Sequence, residues 1–113
     1  MTTEATPMNM HETIHQQVNA NAVVLYMKGT PQFPQCGFSG SAVKMLKACG
    51  VRDLTAIDVL ADPDIRAGIK AYSNWPTIPQ LYVKGELIGG ADIVRELYQT
   101  GELQALLDAA LAR

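Results

Sequence analysis

A chain of 113 residues can build one modest hydrophobic core and not two. Hydrophobic residues make up 48% and charged residues 18%, ordinary for a globular fold, and a net charge of -2 gives no electrostatic pull toward nucleic acid or anionic membrane. The longest apolar runs are strand-sized and cannot span a bilayer. No signal-peptide pattern precedes them, and the first 50 residues hold Glu4 and Glu12 but no arginine, unlike a mitochondrial transit peptide. The expected compartment is the cytoplasm.

Residues 1–8 lack periodicity and read as a flexible leader, which leaves 9–113 as one domain. Asn9 followed by Glu12 has helix-start character, and Ile14 and Val18 mark one apolar face, so the pattern predicts a helix over about 10–20. Ala22 to Met27 is a continuous apolar run, as expected of a strand covered on both faces. A loop with Gly29, Pro31 and Pro34 follows. Ala42, Val43, Leu46 and Cys49 then recur at helical spacing, and Gly50 supplies a stop.

Leu54 to Val59 reads as a second strand that closes at Asp58. Asp62-Pro63-Asp64 opens a helix that turns Ile65, Ile69 and Tyr72 inward and ends near Ser73-Asn74. Leu81-Tyr82-Val83 and Leu87-Ile88, joined through Lys84-Gly85-Glu86, form a hairpin. After Gly89-Gly90, Asp92 is the expected N-cap of a helix through Tyr98, and a last amphipathic helix follows Gly101. The order α-β-α-β-α-β-β-α-α implies an α/β fold of thioredoxin-like type: a four-stranded mixed sheet flanked by helices on both faces.

Two cysteines in a chain this size do not make a disulfide-stapled scaffold. Cys36, in Cys36-Gly37-Phe38-Ser39, lies where a loop turns into a helix, and unpaired N–H groups with the positive end of the helix dipole favour thiolate over thiol there. Lys28 adds a second positive charge. An inert core cysteine is the blander reading, but it fits poorly beside Pro34, Gly37 and Ser39. Cys49 lies 13 positions along the same expected helix, a rise of about 20 Å, so the two cysteines cannot pair within one chain. Cys49 falls on the apolar stripe and reads as structural. Ser39 stands where a Cys-X-X-Cys motif has its second cysteine, and a hydroxyl cannot resolve a mixed disulfide. A resolving sulfur must come from outside the chain.

Two further segments converge on the thiol. Trp75-Pro76-Thr77-Ile78-Pro79 leads into the hairpin, and its last proline, at the mouth of a strand, suggests a cis Ile78-Pro79 bond against the alternative of a trans proline on an edge strand. Gly89-Gly90-Ala91-Asp92 brings bare backbone to a helix start, either a seat for a carboxylate or a plain tight turn.

Together these residues resemble the monothiol glutaredoxins of the Cys-Gly-Phe-Ser class. The likeness rests on Tyr26-Met27-Lys28-Gly29-Thr30-Pro31, the tetrad at Cys36, Trp75 to Gln80, and Gly89 to Asp92, and it runs from about residue 10 onward. It implies a glutathione site and a [2Fe-2S] cluster shared by a homodimer, each chain giving one thiolate and two glutathiones the rest. By residue matching, Lys28 and Arg66 would hold the glycyl carboxylate of glutathione, and the Ile78 backbone beside Pro79 would pair with its cysteinyl unit. Ala91 N–H and Asp92 would take the γ-glutamyl end, with Thr77 and Gly90 as neighbouring contacts. Ile78 stands where several relatives have Phe, and Ala91 where Cys is frequent.

His11-Glu12-Thr13-Ile14-His15 fits a zinc-protease pattern, yet no Asp, Glu or His follows before Asp53, so a third ligand is wanting and solvated helix histidines are the better reading. Two uses of Cys36 compete. One is carriage of a cluster to apo iron–sulfur client proteins in iron homeostasis, with BolA-like proteins as compatible partners. The other is glutathione-dependent thiol–disulfide exchange by a monothiol route.

Overall fold

The computed structural model describes residues 9–112, so the leader expected over 1–8 lies outside them. Helix α1 (Met10–Ala20) starts where the Asn9 side chain accepts the Glu12 N–H at 2.8 Å, and it buries Ile14 and Val18. Strand β1 (Val23–Met27) is buried along its whole length. Helix α2 (Gly37–Ala48) follows the loop and ends as expected, with Gly50 at a positive φ of 81°. Strand β2 (Thr55–Asp58) leads to α3 (Pro63–Ser73), whose Asp62 cap accepts the Asp64 and Ile65 N–H groups. Strands β3 (Gln80–Val83) and β4 (Glu86–Gly89) form the hairpin, and α4 (Ala91–Thr100) and α5 (Glu102–Leu111) close the chain.

The sheet order is β2-β1-β3-β4, with β1 parallel to β2 and the other two pairings antiparallel. Successive side chains of a strand point to opposite faces, so β1 feeds two cores. Val23, Leu25 and Met27 join α2, α4 and α5 on one face, while Val24 and Tyr26 join α1 and α3 on the other. That double coverage is why the run from Ala22 reads as continuously apolar. This is the thioredoxin-like architecture that the order of elements implied. Among the described residues no helix is long and apolar enough to cross a membrane.

One expected cap is corrected. The N-cap of α4 is Gly90, and Asp92 sits one residue past the helix start, in its first turn. A Cβ built at Gly90 would lie 3.2 Å from Trp75 Nε1 and 3.4 Å from Pro79 O, so the close approach of the Trp75–Pro79 loop claims the cap for a residue without a side chain.

The loop between β1 and α2 is held from below by β2. One Asp58 carboxylate oxygen accepts both the Gly29 and Leu60 N–H groups at 2.9 Å, and Gln35 N–H returns to the Lys28 carbonyl at 2.9 Å. Gly29 adopts a φ of 87°, and a Cβ there would lie 2.5 Å from the Phe33 carbonyl oxygen. We expect Gly29→Ala to lower unfolding stability in urea by about 1–3 kcal/mol. An unchanged midpoint would contradict this account of the loop.

Candidate functional site

Cys36 is the N-cap of α2, in extended conformation, and is partly exposed. Its carbonyl accepts the first helical N–H, from Gly40, at 2.9 Å. The neutral sulfur closes no capping hydrogen bond of its own, being a weak acceptor. The thiolate is another matter. The backbone N–H of Ser39 above all, opposed by partial burial and then aided by the Phe38 N–H, the Ser39 hydroxyl and the charge of Lys28, holds the thiol below its ordinary range.

Ser39 is fully buried, and its Oγ accepts the Lys28 backbone N–H at 3.0 Å. One hydroxyl therefore joins the first turn of α2 to the end of β1. Two nearby rings are open: Phe38, beside Ser39, is 55% exposed, and Phe33, in the preceding loop, is 74% exposed. Cys49 is buried at the far end of α2, as its place on the apolar stripe implied.

A cavity of roughly 510 Å³ opens beside Cys36, a size ordinary for small-molecule sites. Of the residues expected at a site, Lys28, Cys36, Thr77, Ile78, Pro79, Gly90, Ala91 and Asp92 all line it. Three distant segments of sequence thus meet in one place. The Ile78-Pro79 peptide bond is cis. The N-terminus of α4 presents its free N–H groups to the same space, since Gly90 supplies no side-chain cap.

Arg66 is exposed on α3 and is not among the residues that line the cavity. Lys70, four residues on and one helical turn closer to the loop, lines it instead. Lys70 belongs to no motif of the sequence, and its i+4 spacing from Arg66 is the one signal that points to it. Trp75 and Phe38, which the sequence marks only as members of their motifs, both form cavity wall. The indole Nε1 of Trp75 is buried against Gly90 with no hydrogen-bond partner.

The histidine motif of α1 takes no part in this site. His15 Nδ1 lies 3.2 Å from the Tyr72 hydroxyl and the His11 ring packs 4.9 Å from the Tyr72 ring, both on the exposed side of the α1–α3 contact. Among the described residues no three His, Cys, Asp or Glu side chains gather into a metal site.

The family model described as Glutaredoxin matches residues 23–88. An uncharacterized monothiol glutaredoxin, ycf64-like, from Synechocystis is 59% identical over 99 residues, covering 88% of this chain and 92% of that protein. Glutaredoxin 4 of Escherichia coli K12 is 54% identical over 102 residues, covering 90% of this chain and 88% of its own. A crystal structure of a buckwheat glutaredoxin–glutathione complex superposes with a TM-score of 0.78 at 26% identity, over 89% of each chain.

A lowered thiol pKa means that the reactive thiolate is present at lower pH than in a free cysteine. The rate of Cys36 alkylation by iodoacetamide is expected to reach half its plateau below about pH 8.5, the free-thiol value, and Lys28→Ala should move that midpoint upward. A wild-type midpoint at or above the free-thiol value would contradict the geometry described.

Proposed function

The chain belongs to the glutaredoxin family, in its monothiol Cys-Gly-Phe-Ser class, and on that premise we propose that it binds glutathione and carries a [2Fe-2S] cluster bridged across two copies of itself. The observation that carries this reading is the state of Ser39. It stands where a second cysteine would resolve a disulfide, and its hydroxyl is buried and engaged by Lys28 N–H. The chain thus offers one thiolate, while such clusters take four ligands, mostly thiolates. The missing sulfurs come from glutathione and from a second copy's own active-site thiol.

The chemistry around the cavity suits glutathione. Its glycyl carboxylate would meet Lys28, with Lys70 at the wall and Arg66 one turn away on α3. Its cysteinyl backbone would pair at Ile78 beside Pro79, with Thr77 next to it. The γ-glutamyl end would sit at Gly90, Ala91 N–H and Asp92, where a helix N-terminus favours a carboxylate and Asp92 an ammonium. The solved complex of a related glutaredoxin with glutathione supports this assignment of ligand. The exposed Phe33 and Phe38 rings give the thiol's surroundings an apolar face for a second copy or a client. The cluster itself is cargo, handed to apo iron–sulfur proteins in the cytoplasm in support of iron homeostasis, with BolA-like proteins as partners.

The thiolate-favouring cap also supports a second reading, thiol–disulfide exchange. Cys36 thiolate would attack the glutathione sulfur of a protein mixed disulfide and release the protein thiolate. A second glutathione thiolate would then free Cys36 as glutathione disulfide forms.

Anaerobic incubation with ferrous iron, sulfide and glutathione separates the two. Carriage predicts a visible iron–sulfur chromophore that travels with a dimer in gel filtration, and a colourless monomer for Cys36→Ser. A colourless wild type, or a Cys36→Ser protein that still holds a cluster, would defeat carriage. Rapid turnover of glutathione mixed disulfides by that colourless protein would establish exchange in its place.

A further inference from the structure

Gln80, the first residue of β3, is fully buried, and with Ser39 it is one of the two buried polar side chains among the described residues. A primary amide in a core is destabilising unless its hydrogen bonds are made. Here both N–H groups are used on one short stretch: Nε2 donates to the Trp75 carbonyl at 3.0 Å and to the Thr77 carbonyl at 3.2 Å. The other end of the amide is oriented by Tyr82, whose hydroxyl donates to Oε1 at 3.3 Å. Burial pushes the Tyr82 hydroxyl up to about 12, so it keeps its proton and remains the donor.

The stretch that Gln80 grips has little means of holding itself. Pro76 and Pro79 have no N–H to give, so the segment between α3 and β3 cannot join a ladder of its own. Its start is fixed by Trp75 N–H, which donates to the Lys70 carbonyl at 3.3 Å and to Ser73 Oγ at 3.1 Å. Its middle is fixed by the Gln80 amide. The same segment, Trp75 to Pro79, forms one wall of the cavity beside Cys36, and Trp75 touches Gly90 at the opposite wall. Gln80 itself does not line the cavity.

We propose that Gln80 is a positioning residue for glutathione: its amide sets the height of Trp75 and Thr77 against the start of α4, and so the width of the ligand cavity, without touching the ligand. The inference rests on the glutathione reading given above. A cavity wall held by two directed bonds presents the Ile78 backbone in one place, which reduces the ordering that binding would otherwise require.

The test is calorimetric titration of glutathione into reduced wild type, Gln80→Glu, Gln80→Met and Tyr82→Phe, with thermal melts and the Cys36 alkylation midpoint measured alongside. Gln80→Glu keeps the shape of the side chain and removes both donors. Binding by folded Gln80→Glu and Gln80→Met is expected to weaken about tenfold, the equivalent of about 1.4 kcal/mol, with the alkylation midpoint unmoved. Relative to wild type, the Gln80→Glu deficit should shrink toward about pH 5, where a buried carboxyl regains a proton and one donor, while Gln80→Met should show no such recovery. Tyr82→Phe releases the orienting bond together with the hydroxyl's interaction with Ser73, and should cost about two- to threefold.

A folded Gln80 variant that binds as wild type does, or a melting temperature lowered with affinity intact, would overturn the positioning role. If neither Gln80 variant folds, Tyr82→Phe decides, and undiminished binding by it overturns the proposal. A wild type that binds no glutathione would instead remove the ligand reading on which the proposal stands.

Discussion

The hydrogen bond from Lys28 N–H to Ser39 Oγ is the joint on which the site depends. It fastens the end of β1 to the first turn of α2 across the loop that separates them, and so fixes where Cys36 meets the helix N-terminus. The residue that makes this joint occupies the place of a second active-site cysteine. Burying the hydroxyl serves two ends: it satisfies a backbone donor at the strand end, and it leaves Cys36 without an internal sulfur partner. The chemistry that follows, whether cluster ligation or exchange with a small thiol, must bring its other sulfurs from outside.

Around this joint the fold arranges backbone more than side chains. The Cys36 thiolate is favoured chiefly by an N–H of its own helix, with the charge of Lys28 as a lesser aid. The Trp75–Pro79 segment offers backbone at Ile78, and the start of α4 offers free N–H groups because its cap is a glycine. Backbone presented this way tolerates change at the side chain. It also demands that the loops be held rigidly, and the buried polar side chains Ser39 and Gln80 each grip one of them.

Much of this was legible in the sequence because local signals and tertiary demands agree. Strand β1 reads correctly because burial on both faces leaves no polar alternation, and α3 announces itself through the Asp62 cap and Pro63. The motifs at Lys28, Cys36, Ile78-Pro79 and Gly90–Asp92 converge because each marks a strand end or a helix start on the same rim of the sheet. What escaped were features set by contacts between elements. Asp92 has the chemistry of a cap, but close approach by Trp75 requires Gly90 there. Arg66 and Lys70 share one face of α3, and their position along the helix axis decides that Lys70 lines the cavity where Arg66 does not, which no local pattern shows. Gln80 looks like a polar strand start until its partners at Trp75, Thr77 and Tyr82 are seen.

The central claim is that the cavity joining Lys28, the Trp75–Pro79 segment and the start of α4 takes glutathione beside a solitary thiolate. Amide chemical-shift mapping of the reduced, isotope-labelled protein during addition of glutathione tests it most directly. The account predicts shifts concentrated at Lys28, at Trp75, Thr77 and Ile78, and from Gly90 to Asp92, with α1 and α5 silent. Shifts confined to other faces of the molecule, or none at millimolar glutathione, would contradict it.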